Sequence, residues 1–128
     1  MCDIEAMFHQ VRVDESHRDL LRFLWWEDGE VTREPEEYTM AVHLLGATSL
    51  LGCANFALKS TPNDYESEFS VATTDCLRND FYIDYSLKSV LSIDEAVTLI
   101  PDVKQMCKSG GFNLINLCRI VKTSSEEY

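Results

Sequence analysis

Residues 81–91 read FYIDYSLKSVL. Phe81, Tyr82 and Ile83 form a short apolar run, which predicts a strand. Leu87 to Leu91 predicts a second strand, with Asp84-Tyr85-Ser86 at the bend between them. A carboxylate, Asp84, therefore stands at the tip of a β-hairpin, directly behind an apolar strand. Toward the C-terminus, Ser92 and Glu95 have capping-box spacing. Ile93, Ala96, Val97, Ile100, Val103 and Cys107 then recur on one helical face. Gly110 fits the helix stop, and Phe112 to Leu117 predicts a final strand.

On the N-terminal side, Tyr65, Phe69, Ala72 and Cys76 are spaced as an amphipathic helix, and Pro62 marks a break before it. Thr48 to Lys59 is rich in Ala, Leu and small residues and predicts a packed helix. Tyr38, Met40, Val42 and Leu44 alternate with polar neighbours, the period of a half-buried strand. With the apolar run Phe23 to Trp26 and the turn signal Asp28-Gly29, residues 23–44 predict a long β-hairpin. Ile4 to Val13 predicts a strand running into a turn. The order is strand, hairpin, helices, hairpin, helix, strand, which implies an α+β fold with helices against one face of an antiparallel sheet.

The 128 residues suit one domain, and a 45% hydrophobic fraction permits a packed core. No apolar run approaches the ~18 residues of a membrane span, and Cys2, Asp3 and Glu5 do not fit a secretory signal. The expected location is intracellular, cytoplasmic or nuclear, with no membrane contact. The five cysteines have no C-x-x-C pair, so they read as small buried hydrophobes rather than a disulfide framework or a zinc site. His9, His17 and His43 have no metal-triad spacing. The net charge of −11 opposes autonomous nucleic-acid binding, because phosphate contacts need Lys and Arg. It does not oppose a cluster of catalytic carboxylates.

Two carboxylates stand out by context: Asp84 at the hairpin tip and Asp3 at the start of a strand. Acidic residues far apart in sequence but carried on adjacent strands can hold hard divalent cations, since Mg²⁺ takes oxygen ligands and keeps several waters. Read singly, each of the two is more simply a solvated surface residue, as most of the 22 acidic residues are.

Four segments in order carry a resemblance. Residues 3–11, DIEAMFHQV, look like the first palm motif of the reverse transcriptases of Pao/BEL-type LTR retrotransposons. Residues 44–58, LLGATSLLGCANFAL, resemble the second motif, through Gly46 and the run Gly52 to Phe56. Residues 81–85, FYIDY, resemble the third, through Tyr82, Ile83 and Asp84. Residues 108–114, KSGGFNL, look like the palm segment that follows. The resemblance implies a palm-like domain over residues 1–117 and a divergent, disordered tail over 118–128. It implies Asp3 and Asp84 as catalytic metal ligands, close together on neighbouring strands. It implies Phe8 and Gly46 at the nucleotide, Phe8 as the aromatic that blocks a ribose 2′-hydroxyl. The implied cofactor is Mg²⁺, and the parent family's partners are a primer–template and a deoxynucleoside triphosphate.

The sequence departs from that pattern at defined positions. Tyr85 stands where the family has a second aspartate. Leu50-Leu51 replaces a Ser-Pro, which exchanges a fixed turn for aliphatic bulk. Pro101 falls inside the helix that Ser92 starts, where it removes a hydrogen bond to the Val97 carbonyl, at about 3 kcal/mol. The chain begins two residues before Asp3, so the resemblance implies a truncated palm lacking fingers and thumb. The expectation is an inactive polymerase fragment with weak metal and weak nucleic-acid binding. One alternative is an active nucleotidyltransferase working with separate fingers and thumb chains. Another is a non-enzymatic interaction module that reuses the palm fold, with Trp25 and Trp26 as a partner patch. Strand alternation instead predicts one of those tryptophans in the sheet core and the other partly exposed.

Overall fold

A computed structural model describes residues 1–118. The chain divides into two compact units, Met1–Glu5 with Leu58 onward, and Ala6–Ala57. The first unit carries a four-stranded sheet in the order β4-β5-β1-β6. Its strands are β1 (Cys2–Ile4), β4 (Phe81–Tyr82), β5 (Tyr85–Ser86) and β6 (Leu114–Ile115). All pairings are antiparallel. The fold is thus α+β with a small antiparallel sheet.

Alternation decides which face is covered. Cys2, Ile4, Phe81, Ser86 and Leu114 are buried, while their neighbours Asp3, Tyr82, Tyr85 and Ile115 are half-buried or exposed. The buried face meets helices α3 (Val71–Asn79) and α4 (Ile93–Ser109): α3 packs on β4 and on α4, and α4 packs on β6. Between them lie Leu77, Leu99, Val103, Met106 and Cys107, all buried. Ser70 caps α3 by accepting from the Thr73 N–H. Ser92 caps α4, its Oγ accepting from the Glu95 N–H at 3.1 Å, and Glu95 reaches back to the Leu91 N–H at 3.0 Å. The capping box is present, with the return bond one residue early.

The end of α4 is a Schellman turn. Phe112 N–H donates to the Cys107 carbonyl at 2.8 Å and Gly111 N–H to that of Lys108 at 3.0 Å. Gly111 has φ +85°, which favours glycine, and buried Phe112 closes the motif. The helix stop expected at Gly110 is therefore built by the Gly110-Gly111 pair.

Several local expectations are overturned. The hairpin turn is Ile83-Asp84, not Asp84 to Ser86; Tyr85 and Ser86 form β5, and Leu87 to Leu91 is not a strand. Ser86 must stay in the sheet because its buried hydroxyl donates to the Asp80 carbonyl at 2.9 Å. Helix α2 (Leu50–Tyr65) continues through Pro62, which is buried with Leu58 and Thr61. Tertiary burial there overrides a lost backbone donor. Tyr65 ends α2 rather than starting the next helix, and its hydroxyl donates to the Ser109 carbonyl at 3.1 Å. Pro101 does lie inside α4, as expected. The buried stripe of α4, however, is Leu99, Val103, Met106 and Cys107, while Ile93, Val97 and Ile100 are exposed.

The second unit holds α1 (Met7–Gln10), a 3₁₀ segment over Glu15–Leu21, the hairpin β2 (Arg22–Trp25) with β3 (Glu36–Thr39), and the start of α2. The hairpin is real but short, with Arg22 opposite Thr39 and Trp25 opposite Glu36. Beyond it, an isolated bridge joins Arg12 and Val42. Phe23 stacks on Tyr38 at 5.8 Å, and Trp25 meets Trp26 edge-on at 6.2 Å. No residue of β2 or β3 is buried, and Trp26 is half-buried beside an exposed Trp25. The tryptophan expected in the sheet core is not there, because a two-stranded sheet has no second layer to make one.

The expected tail lies outside the described residues except for Cys118. That residue exchanges two hydrogen bonds with Met1, N–H to carbonyl and terminal amine to carbonyl, each 2.9 Å. Among the described residues no helix is long and apolar enough to cross a membrane.

Candidate functional site

Strand β1 is hydrogen-bonded on both sides, and period-two alternation turns Asp3 away from the helices while Cys2 and Ile4 face them. The register sets Asp3 opposite Tyr85 on β5 and opposite Ile115 on β6. Asp84 occupies the second position of the two-residue turn between β4 and β5. Its carbonyl accepts from the Ile4 N–H at 2.6 Å, which fastens the turn to the residue after Asp3. Asp3 lies on β1 itself, whereas Asp84 lies in the turn and not on a strand. The residue whose side chain faces Asp3 directly is Tyr85, and such a facing pair has its Cβ atoms ~4.5–5.5 Å apart.

The turn is made under strain. Ile83 has φ +57°, a region that β-branched residues avoid. The left-handed conformation carries a penalty of about 1–2 kcal/mol. It is held by the Ile4–Asp84 bond and by the buried Phe81–Ser86 pair behind it.

A second irregularity sits on the other flank of Asp3. Ile115 faces Asp3, but Cys118, not Leu117, bonds to Met1, so Asn116 and Leu117 together oppose Cys2. This is a β-bulge, with Asn116 at φ +53°. The bulge directs the Asn116 side chain onto Asp3, where its Nδ2 donates to Oδ2 at 3.1 Å. Just past β1, Glu5 accepts from Asn113 Nδ2 at 2.6 Å. Both asparagines escaped the sequence reading. The usable signal was the type of residue 116, since asparagine is enriched at positive φ.

The remaining expected positions divide between the units. Phe8 is half-buried in α1, which follows Ala6 at φ +44°. Gly46 has φ +95°, and an added Cβ would meet nothing within 4 Å, so conformation and not space favours glycine. Both belong to the second unit, whereas Asp3 and Asp84 belong to the first. Leu50 and Leu51 are the first two residues of α2, Leu50 buried and Leu51 exposed. They start a helix, so the aliphatic pair does not loosen a turn there.

The described cysteines are all free. Cys2, Cys76 and Cys107 are buried in the first unit, and burial is the main cause that raises each thiol, Cys76 and Cys107 to about 12. Thiols so raised stay protonated and act as small hydrophobes. Among the described residues, no group of three or more His, Cys, Asp or Glu could hold a metal ion. Asn116 engages Asp3 Oδ2, and Asp84 is exposed. No protein-family model and no curated protein matches the chain.

Proposed function

We propose that this chain is a polymerase palm of reverse-transcriptase type that retains its pair of carboxylates and does not polymerise. The observation that carries the reading is the fastening of the Ile83-Asp84 turn to β1 through the Ile4–Asp84 bond at 2.6 Å. It puts one carboxylate at a hairpin tip and the other on the adjacent central strand, on a sheet whose opposite face is covered by helices. In the parent family two divalent ions activate the attacking hydroxyl and stabilise the leaving pyrophosphate. Here Asp3 and Asp84 supply ligands for one Mg²⁺ held weakly. Tyr85, facing Asp3, offers a phenol where a carboxylate would be a hard ligand, and a phenol binds Mg²⁺ poorly. A net charge of −11 keeps a primer–template at a distance at physiological salt.

Calorimetric titration of Mn²⁺ and Mg²⁺ into the natural chain, Tyr85→Asp and Asp84→Asn tests the frame. One added charge ~4 Å from a divalent ion contributes about 2 kcal/mol at the dielectric of water, and salt reduces this. Tyr85→Asp should therefore bind about tenfold tighter and Asp84→Asn measurably weaker. Equal affinity in all three would show that the two carboxylates do not act together. Primer extension should be absent in all three, and anisotropy with a labelled primer–template should show no nanomolar binding. Extension by the natural chain would refute the inactivity.

A further inference from the structure

Across the outer face of the first unit's sheet, the register lines up Tyr82, Tyr85, Asp3 and Ile115, one from each strand. Tyr82 and Tyr85 are 64% and 43% exposed, with ring centroids 5.6 Å apart and planes inclined by 55°. The rings form an open notch rather than a closed stack. Asp3 faces Tyr85 across the strands, Glu5 follows just past the end of β1 and is exposed, and Asp84 is exposed at the adjoining turn. Asp3 and Glu5 are each held by a side-chain amide, from Asn116 and Asn113. Neither they nor Asp84 form an ion pair among the described residues. Amide donors fix a carboxylate in place without cancelling its charge, so this surface is both aromatic and uncompensated.

An exposed aromatic face attracts a cation through its quadrupole, and a carboxylate attracts it through charge. A guanidinium satisfies both at once, because it is planar enough to lie on a ring and presents a fork that matches a carboxylate. An ammonium, a point charge, gains less from the same arrangement. A single-stranded nucleic acid could stack on the tyrosines, but its phosphates would meet the three carboxylates and the net charge of −11. A second copy of the chain would meet the same repulsion. We propose that this face docks an arginine-bearing segment of a basic protein, with a guanidinium seated on Tyr85 and forked onto Asp3. Such docking requires no polymerase ancestry.

The test is fluorescence anisotropy of the full chain with a fluorescein-labelled Gly-Arg repeat peptide at about 0.15 M salt, where long-range attraction is screened. A Gly-Lys repeat and a labelled single-stranded oligonucleotide serve as competing occupants. The arginine peptide should bind at least several-fold tighter than the lysine peptide, and the oligonucleotide should not bind. An exposed cation–ring contact corresponds to about fivefold in affinity. Tyr85→Leu should weaken binding by that factor, while Tyr85→Phe, which keeps the ring, should stay within about twofold. Asp3→Asn should weaken it by at least as much as Tyr85→Leu. Glu68→Gln removes the same charge from the 66–68 turn, outside this row, and should have little effect. Circular dichroism melts identify any variant that fails to fold, and the Phe and Leu variants at position 85 decide the matter even if Asp3→Asn does not fold. Unchanged binding by Tyr85→Leu would overturn the proposal. So would equal losses in Glu68→Gln and Asp3→Asn, equal binding of the lysine peptide, or tighter binding of the oligonucleotide.

Discussion

Replacing Gly110 by alanine should destabilise the first unit, against the usual direction of a Gly→Ala change. Gly110 has φ −81°, a conformation alanine adopts freely, so the substitution would ordinarily add about 0.4–1 kcal/mol by restricting the unfolded chain. Packing reverses the sign. A Cβ on Gly110 would stand 2.3 Å from Thr61 Oγ1, 2.6 Å from its Cγ2 and 3.0 Å from its Cβ. Thr61 is 3% exposed and lies on α2 next to the buried Pro62, so its branched side chain has little room to swing away. Relief then requires the end of α4 and α2 to separate, an overpacking that carries about 1–3 kcal/mol. The net expectation is a loss of about 1–2 kcal/mol, or a melting temperature lower by roughly 3–10 °C for a chain of this size. Thr61→Ala removes two of the three clashing atoms, so Gly110→Ala should be far milder in that background. A double-mutant cycle by thermal melting should give a coupling of at least ~1 kcal/mol. Additive effects, or a Gly110→Ala variant that melts at or above the natural chain, would refute this account of the α2–α4 contact. Because β6 follows this turn directly, the same variant should also disturb the Asn116–Asp3 bond, readable as a shift of the Asn116 side-chain amide resonances.

Pro101→Lys should raise stability by about 1–3 kcal/mol by returning a donor to the Val97 carbonyl within continuous α4, and a lower melting temperature would contradict that helix geometry. Alkaline pH should weaken the fold. Burial raises the Cys76 and Cys107 thiols to about 12, so above pH ~9 the unfolded chain loses thiol protons that the folded chain keeps. The unfolded state then binds fewer protons, and stability falls as pH rises from ~9 toward 12, by up to ~1.4 kcal/mol per pH unit for each thiol before discounting for residual solvent access. Denaturant melts between pH 8.5 and 10, below the range in which Lys88 titrates, should show that slope in the natural chain and lose most of it in a Cys76→Ala, Cys107→Ala variant.

Local chemistry was legible from the sequence wherever the physics is local. Ser92 and Glu95 announced the start of α4, Gly110 its end, and the run before Asp84 a hairpin tip, because capping, helix stops and strand-to-turn changes depend on residues a few positions apart. What depends on partners distant in sequence was not legible. Pro62 was read as a break because proline opposes a helix, yet burial with Leu58 and Thr61 carries α2 past it. The α4 stripe was drawn through Ile93, Ala96, Val97, Ile100, Val103 and Cys107; Val103 and Cys107 are buried, but helical periodicity gives only relative angles, and the position of β6 and α3 selected Leu99 and Met106 in place of Ile93, Val97 and Ile100. The hairpin over residues 23–44 was drawn too long, since alternation says nothing about whether a second layer exists to bury it. At the candidate site, strand and turn context together with the resemblance singled out Asp3 and Asp84. That Tyr85 faces Asp3, that Asn116 is turned onto it, and that Ile83 is held strained beside it follow from strand register and one bulge. Register is set by hydrogen bonds between segments about 80 to 110 residues apart, and no local pattern carries it.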